Sequence, residues 1–173
     1  PLHVAFDEVC ARASARGMRV TGTELVGLIP RRTLLEAGRY FLHKQQRSSG
    51  LPEEELIATA VRSMGLNDLR PFNPREKVLE YLLEDGISGK QKLVSLSCRS
   101  FALETASESP APGGGSVSAY MGTLAASLGT MVANLSSHKK GWDERWAFFS
   151  DWAEKGQALV SELLFLVDED TAS

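Results

Sequence analysis

The chain has little cysteine, little net charge, and one long stretch with no charge at all. Its two cysteines, Cys10 and Cys98, lie far apart, with no CxxC pair and no Cys/His cluster. That arrangement argues against a disulfide scaffold or a structural metal and leaves reduced, buried thiols. A net charge of −3 over 173 residues gives nothing global to draw nucleic acid or anionic lipid. No signal peptide and no repeat of solenoid period is seen. With 43% hydrophobic and 24% charged residues, the composition is that of a globular protein. The first residue is Pro1 rather than Met, and the last residues, DEDTAS, fall inside a running helical pattern. A fragment of a longer cytosolic protein is therefore expected.

The pattern along the chain changes once. Pro1 suits a helix start, and Phe6, Val9, Cys10 and Ala13 would share its inner face, with Gly17 as a stop. MRVTGTELVGLIP is β-branched and glycine-punctuated, and reads as a strand ending at Pro30, bent at Gly22 or Gly27. The next helix would face in with Leu34, Gly38, Phe41 and Leu42. A third would face in with Leu56, Ile57, Ala60, Val61 and Met64, and Gly65 would end it. Asn73, Pro74 and Glu76 form a cap, a first-turn proline and an acid for a helix from Pro74 to Leu83. EDGISGKQK has linker composition. The expected organisation is a mixed α+β first half, residues 1–83, a linker over 84–92, and an all-α bundle segment over 93–173. Its helices would run from Leu93 to about Glu108, from Ser116 to about Ser137, and from Asp143 to the end. Predominantly helical structure follows overall.

Residues 109–137 carry no Asp, Glu, Lys or Arg. They are long enough to span a bilayer. Ser116, Ser118, Thr123, Ser127, Thr130 and Asn134 are too many polar side chains for a lone lipid-facing helix. A phosphate-cradling loop would need GxxxxGK[ST], and no lysine follows these glycines. The remaining reading is a buried bundle helix. Ser116, Ala119, Gly122, Ala126, Gly129 and Ala133 would line a seam of close helix approach, and Tyr120, Leu124, Leu128, Val132 and Leu135 would pack on the adjacent faces. A seam does not explain three consecutive glycines before the helix, each of which costs conformational entropy. Bare N–H groups at a helix start can meet an anion or an oxyanion. Gly113, Gly114, Gly115 and Ser116 are thus a turn or a ligand-facing wall.

From Asp143 onward Trp146, Phe149, Ala153, Gly156, Val160, Leu163 and Val167 alternate in steps of three and four, one continuous inner face. The next position is Asp170. Asp168 and Glu169 fall off the stripe. A carboxylate turned inward is costly unless it is paired or protonated. Asp170 therefore either bonds a neighbouring helix or serves as an acid/base group in a cleft. His3, His43 and His138 share no spacing that suggests a triad or a metal. HKKGWDERW reads as a solvated turn with Trp146 anchoring the core, and Arg31 and Arg32 read as surface cations.

SPAPGGGSVSA, SLGTMVANL and LVDEDT resemble the start of the formimidoyltetrahydrofolate cyclodeaminase domain. PLHVAFDEVC, VTGTELVGLIP and RPFNPREKVLEYLL resemble the C-terminal subdomain of glutamate formimidoyltransferase. The order matches the fused formimidoyltransferase-cyclodeaminase family, and the resemblance covers essentially the whole chain. It implies a ferredoxin-like transferase subdomain followed by a helical, self-associating cyclodeaminase domain in the cytoplasm. It implies an enzyme of histidine degradation and one-carbon metabolism. That enzyme moves a formimidoyl group from N-formimidoyl-L-glutamate to tetrahydrofolate, then releases ammonia to give 5,10-methenyltetrahydrofolate. Tetrahydrofolate would be carrier and substrate, with no metal, no nucleic acid and no transmembrane segment. The family's cyclodeaminase acid matches Asp170, and Gly113, Gly114, Gly115 and Ser116 would face the folate. The family's catalytic histidine would lie before Pro1, so none of the three histidines here inherits its role, and the fragment alone is expected to be inactive. The alternatives are a methenyltetrahydrofolate cyclohydrolase and a non-catalytic oligomerisation module.

Overall fold

The computed structural model describes residues 1–87 and 92–169, in two compact units, residues 1–87 and 88–173. The structure is predominantly helical. The first unit contains α1 (Leu2–Ser14), α2 (Arg31–Lys44), α3 (Glu53–Ser63), the single turn α4 (Pro74–Lys77) and α5 (Leu79–Ile87). Gly17 and Gly65 end α1 and α3 with φ of +73° and +62°, a conformation that costs glycine nothing. The core holds Leu34, Ala37 and Phe41 of α2, Ile57, Ala60 and Val61 of α3, with Met64, Leu66, Ile29 and Val78. The inner faces expected for α2 and α3 are all buried. On α1, Val9 is exposed and His3 takes an inner position instead, its ring tilted by 33° against Tyr40 at 4.5 Å. Gly38 lets α2 touch α3, because a Cβ there would lie 2.2 Å from the Leu56 carbonyl oxygen.

Residues 18–28 form no strand. Ile29 makes one parallel bridge to Val78, donating to Lys77 O at 2.9 Å and accepting from Leu79 N at 3.0 Å. A strand needs a neighbour's N–H and C=O groups along its length, and the described residues supply that pairing at one point. Upstream, Thr23 bonds the end of α3 instead, through Met64 O and Gly65 O. The same bridge splits the helix expected from Pro74 to Leu83. Val78 is extended (φ −88°, ψ 121°) and fully buried, and it separates α4 from α5. The Asn73 side chain caps α4 as its sequence suggests, accepting from Arg75 N and donating to Glu76.

In the second unit the helix expected from Leu93 begins later. A single 3-10 turn over Leu93–Ser95 precedes extended Leu96, and Ser97 then caps α6 (Cys98–Thr105) by accepting from Ser100 N at 3.0 Å. The body of the unit is α7 (Gly114–Ser137) packed antiparallel on α8 (Trp146–Glu169). Gly141 (φ +86°) and a 3-10 turn over Asp143–Arg145 lie in the connection. There Trp142 is stacked on Phe149 at 5.3 Å, with Lys139 Nζ 4.4 Å from its ring centroid.

The α8 stripe is as expected: Ala153, Val160 and Val167 are buried, with Trp146, Phe149, Gly156 and Leu163 beside them. The α7 seam differs. Its deepest residues are Ser116, Thr123, Thr130 and Ser137, each seven apart, with Ala133. Gly122 lies at the shoulder and Gly129 is exposed. Two helices in extended contact follow a 3.5-residue repeat, which moves the contact one residue beyond each of those glycines. Thr123, Thr130 and Ser137 can be buried because their hydroxyls bond back to Ala119 O, Ala126 O and Asn134 O. Leu124, Leu128, Val132 and Leu135 do not pack on a neighbour but are at least half exposed, as are Phe148, Trp152 and Phe165 on α8.

Glycine has opposite meanings at two sites in this pair. A Cβ at Gly156 would lie 2.2 Å from Thr130 Oγ1, whereas one at Gly129 meets nothing within 4 Å. Gly156→Ala is expected to destabilise the pair by about 1–3 kcal/mol, and Gly129→Ala to stabilise it by about 0.5–1 kcal/mol. All three tryptophans lie in this unit, so tryptophan fluorescence during urea unfolding reads both changes directly.

Candidate functional site

The start of α7 and the end of α8 meet at one end of the helical pair. Gly113 is the N-cap residue of α7 and has no side chain with which to cap it. Gly114 and Gly115 are exposed, and among the described residues no atom stands within 4 Å of the position a Gly114 Cβ would take. The first amides of a helix have no intrahelical acceptor and carry its positive dipole end. Ser116, by contrast, is fully buried, and its hydroxyl donates to Val167 O at 2.8 Å. The next residue on α8, Asp168, accepts from Val94 N at 3.2 Å. Asp168 is half-buried and Glu169 exposed, so both lie off the inner stripe.

The glycine turn and the last turn of α8 are thus brought together through Ser116. Asp170, the next inner position by periodicity, lies outside the described residues. Beside this end, Leu93, Val94, Leu96, Cys98, Phe101, Tyr120, Leu164 and Val167 line a cavity of about 40 Å³. Tyr120 packs on Phe101 at 5.1 Å, and its hydroxyl is 3.6 Å from Cys98 Sγ. That bond and burial raise the Tyr120 phenol above its ordinary pKa. The sequence carried no signal for the Val94–Asp168 contact, which joins residues 74 apart. Tyr120 was legible only as bulk.

The first unit has a groove of about 750 Å³ that the sequence did not announce. Arg31, Glu53, Phe72, Arg75 and Tyr81 are among its walls. Tyr81 donates to Glu53 Oε1 at 2.6 Å, and the guanidinium groups of Arg31 and Arg75 lie over its ring at 6.0 and 5.8 Å. Burial first, then the Glu53 bond, hold the Tyr81 phenol well above its usual range. Arg31 is therefore not a simple surface cation. Its backbone N–H also meets Glu80 at 2.7 Å, which lowers the Glu80 pKa and caps α2, a helix with no side-chain cap of its own. Arg32 is exposed and pairs with Glu36.

The histidines stay apart. His3 lies on Tyr40, His43 bonds Ser49 at 2.8 Å, and His138 follows α7. Among the described residues no three His, Cys, Asp or Glu side chains are grouped to hold a metal ion, and no helix is long and apolar enough to cross a membrane.

Residues 1–84 match the family described as Formiminotransferase domain, and residues 97–173 match Formiminotransferase-cyclodeaminase. The chain is similar to formimidoyltransferase-cyclodeaminase of Gallus gallus, with 36% identity over 171 residues, 99% of this chain and 31% of that protein. The protein of the same name from Mus musculus is 35% identical over 169 residues, 98% of this chain and again 31% of the relative. The chain spans about a third of the length of these curated relatives. The two matches follow one another in the order of the fused protein and run along nearly all of the chain, which belongs to the formimidoyltransferase-cyclodeaminase family.

Proposed function

We propose that this chain is part of a bifunctional, cytoplasmic folate enzyme of histidine degradation. Residues 1–83 belong to the transferase, which moves formimidoyl from N-formimidoyl-L-glutamate to tetrahydrofolate. Residues 93–173 open the cyclodeaminase, and 84–92 join the two. The segment before Ile29 is the natural place for strands of a ferredoxin-like α/β subdomain, since Val26 and Leu28 stand exposed along it.

One observation supports a reaction centre at the α7/α8 end: the Ser116–Val167 hydrogen bond sets the glycine turn against the α8 turn that leads to Asp170. In the cyclodeaminase step a second folate nitrogen attacks the carbon of the protonated formimidoyl group, whose C=N pair moves onto the nitrogen to leave an amino group, and the attacking nitrogen loses its proton to solvent. Asp170, as the acid, gives a proton to the amino nitrogen of the adduct. The carbon–nitrogen bond then breaks, ammonia leaves, and the methenyl bridge of 5,10-methenyltetrahydrofolate remains. Protonating the departing nitrogen is what a general acid contributes, commonly a factor of 10² to 10⁴. The exposure of Gly114 and Gly115 at the start of α7 supports contact of their amides with a carboxylate or carbonyl oxygen of the folate.

A second reading is favoured by the exposed rows on α7 and α8, which suit association of copies of the protein. It and the enzyme reading are compatible, and one variant separates them. Gly114→Val adds bulk where no atom of the described residues stands within 4 Å, so the α7/α8 packing is expected to be retained. In the full-length protein the KM for formimidoyltetrahydrofolate in ammonia release is expected to rise about tenfold or more while the sedimentation coefficient is unchanged. An unchanged KM would remove the glycine turn from the folate site. Asp170→Asn in the full-length protein is expected to lower ammonia release from formimidoyltetrahydrofolate by about 100-fold or more. Release at the wild-type rate would exclude Asp170 as the acid.

A further inference from the structure

α7 carries a second seam, on the side turned away from α8. Ser118, Met121, Ala125, Leu128, Val132 and Leu135 follow one another in steps of three and four, and all are exposed. Their sizes alternate. Met121, Leu128 and Leu135 are large and seven residues apart, and the smaller Ser118, Ala125 and Val132 stand between and before them. No charged residue lies anywhere in 109–137, and a helix without charge on any face is one that is covered on every face. Gly129 adjoins this seam in the middle of α7. Glycine there weakens the helix, and the α7/α8 pair makes no use of it. Among the described residues no atom stands within 4 Å of the position its Cβ would take. A glycine at such a place serves where another backbone comes close.

The seam limits what can cover it. A charged side chain laid across it would lose water and find no partner, so the covering face is itself uncharged. The exposed row of α8 does not qualify, because Lys155 and Glu162 lie among Phe148, Trp152, Leu159 and Leu166. Among the described residues the uncharged face is that of α7 itself. We propose that α7 pairs through this seam with α7 of a second copy, antiparallel about a two-fold axis between residues 126 and 127. A two-fold contact needs a face that complements itself. This register sets Met121 against Val132, Ala125 against Leu128 and Ser118 against Leu135 of the other copy. Each layer then holds one larger and one smaller side chain, so the two backbones approach evenly, and Gly129 leaves room for that approach. No like charges meet at any point of the contact. The proposal rests on the association of copies and adds to it the face and the register.

The test uses the full-length protein with Ala125→Cys and Leu128→Cys, expressed singly and together. Position 125 of one copy meets position 128 of the other, whereas each position is offset from its own counterpart by three residues along the helix. Mild oxidation is expected to give about fivefold or more covalent dimer in the co-expressed protein than in either variant alone, since a disulfide forms only at short Cα separation. The unsubstituted protein supplies the background from its own cysteines. Gly129→Leu is expected to sediment as a smaller species at concentrations where the wild type stays associated, with its helix content by circular dichroism retained. A full-length wild type that sediments as a monomer overturns the association of copies and this contact together. An associated protein with no excess of covalent dimer on co-expression overturns this contact alone. So does a Gly129→Leu protein that sediments as the wild type does. A Leu128→Cys thiol that resists maleimide yet gives no covalent dimer on co-expression shows another part of the same chain on the seam, and also overturns it.

Discussion

The second unit depends on how a helix can bury hydroxyl groups without leaving them unsatisfied. An unpaired buried hydroxyl costs on the order of 1–3 kcal/mol. Thr123, Thr130 and Ser137 avoid that cost by bonding back along α7, so no hydroxyl needs a partner on α8. Small side chains then allow the two backbones to approach, and Gly156 receives Thr130. Only because that contact runs the whole length of the pair do its far ends meet. The glycine turn, Ser116, Val167 and Asp168 are neighbours as a result of packing several turns away.

The first unit solves a comparable problem with charge and backbone. α2 begins after Pro30 and has no side-chain cap, yet Glu80 of α5 reaches its first amide. Asp7 of α1 accepts from both Tyr40 and Lys44 of α2, and those bonds lower its pKa. The Ile29–Val78 bridge is buried between these helices. Polar contacts of this kind join elements far apart in sequence, which is why none of them shows as a local pattern.

Legibility in the sequence followed that division. Local signals were read well: the inner faces of α2, α3 and α8, the Asn73 cap, and the glycine stops at Gly17 and Gly65. Contacts that need a distant partner were not. The β-branched run before Pro30 looks like a strand on its own residues, but pairing is a property of two segments, and here one bridge forms. Val78 looks helical in its window and is drawn out of the helix by Ile29. The α7 seam was placed on its smallest residues, whereas the repeat of the pair selects Thr123 and Thr130 over Gly122 and Gly129. At the candidate site, the glycines and the inward stripe of α8 were visible as motifs, while the contacts of Asp168 with Val94 and of Ser116 with Val167 join residues more than 50 apart.

The fit of Thr130 into Gly156 also constrains how such a sequence can drift. Neither position reads its own surroundings alone: the space at 156 is occupied by the side chain at 130. A larger residue at 156 becomes admissible only after 130 has given up its hydroxyl or its branch, and the reverse order passes through a strained intermediate. Among relatives the two positions should therefore change as a pair, in a fixed order, and a lone substitution at 156 should be rare even though the residue itself touches no substrate.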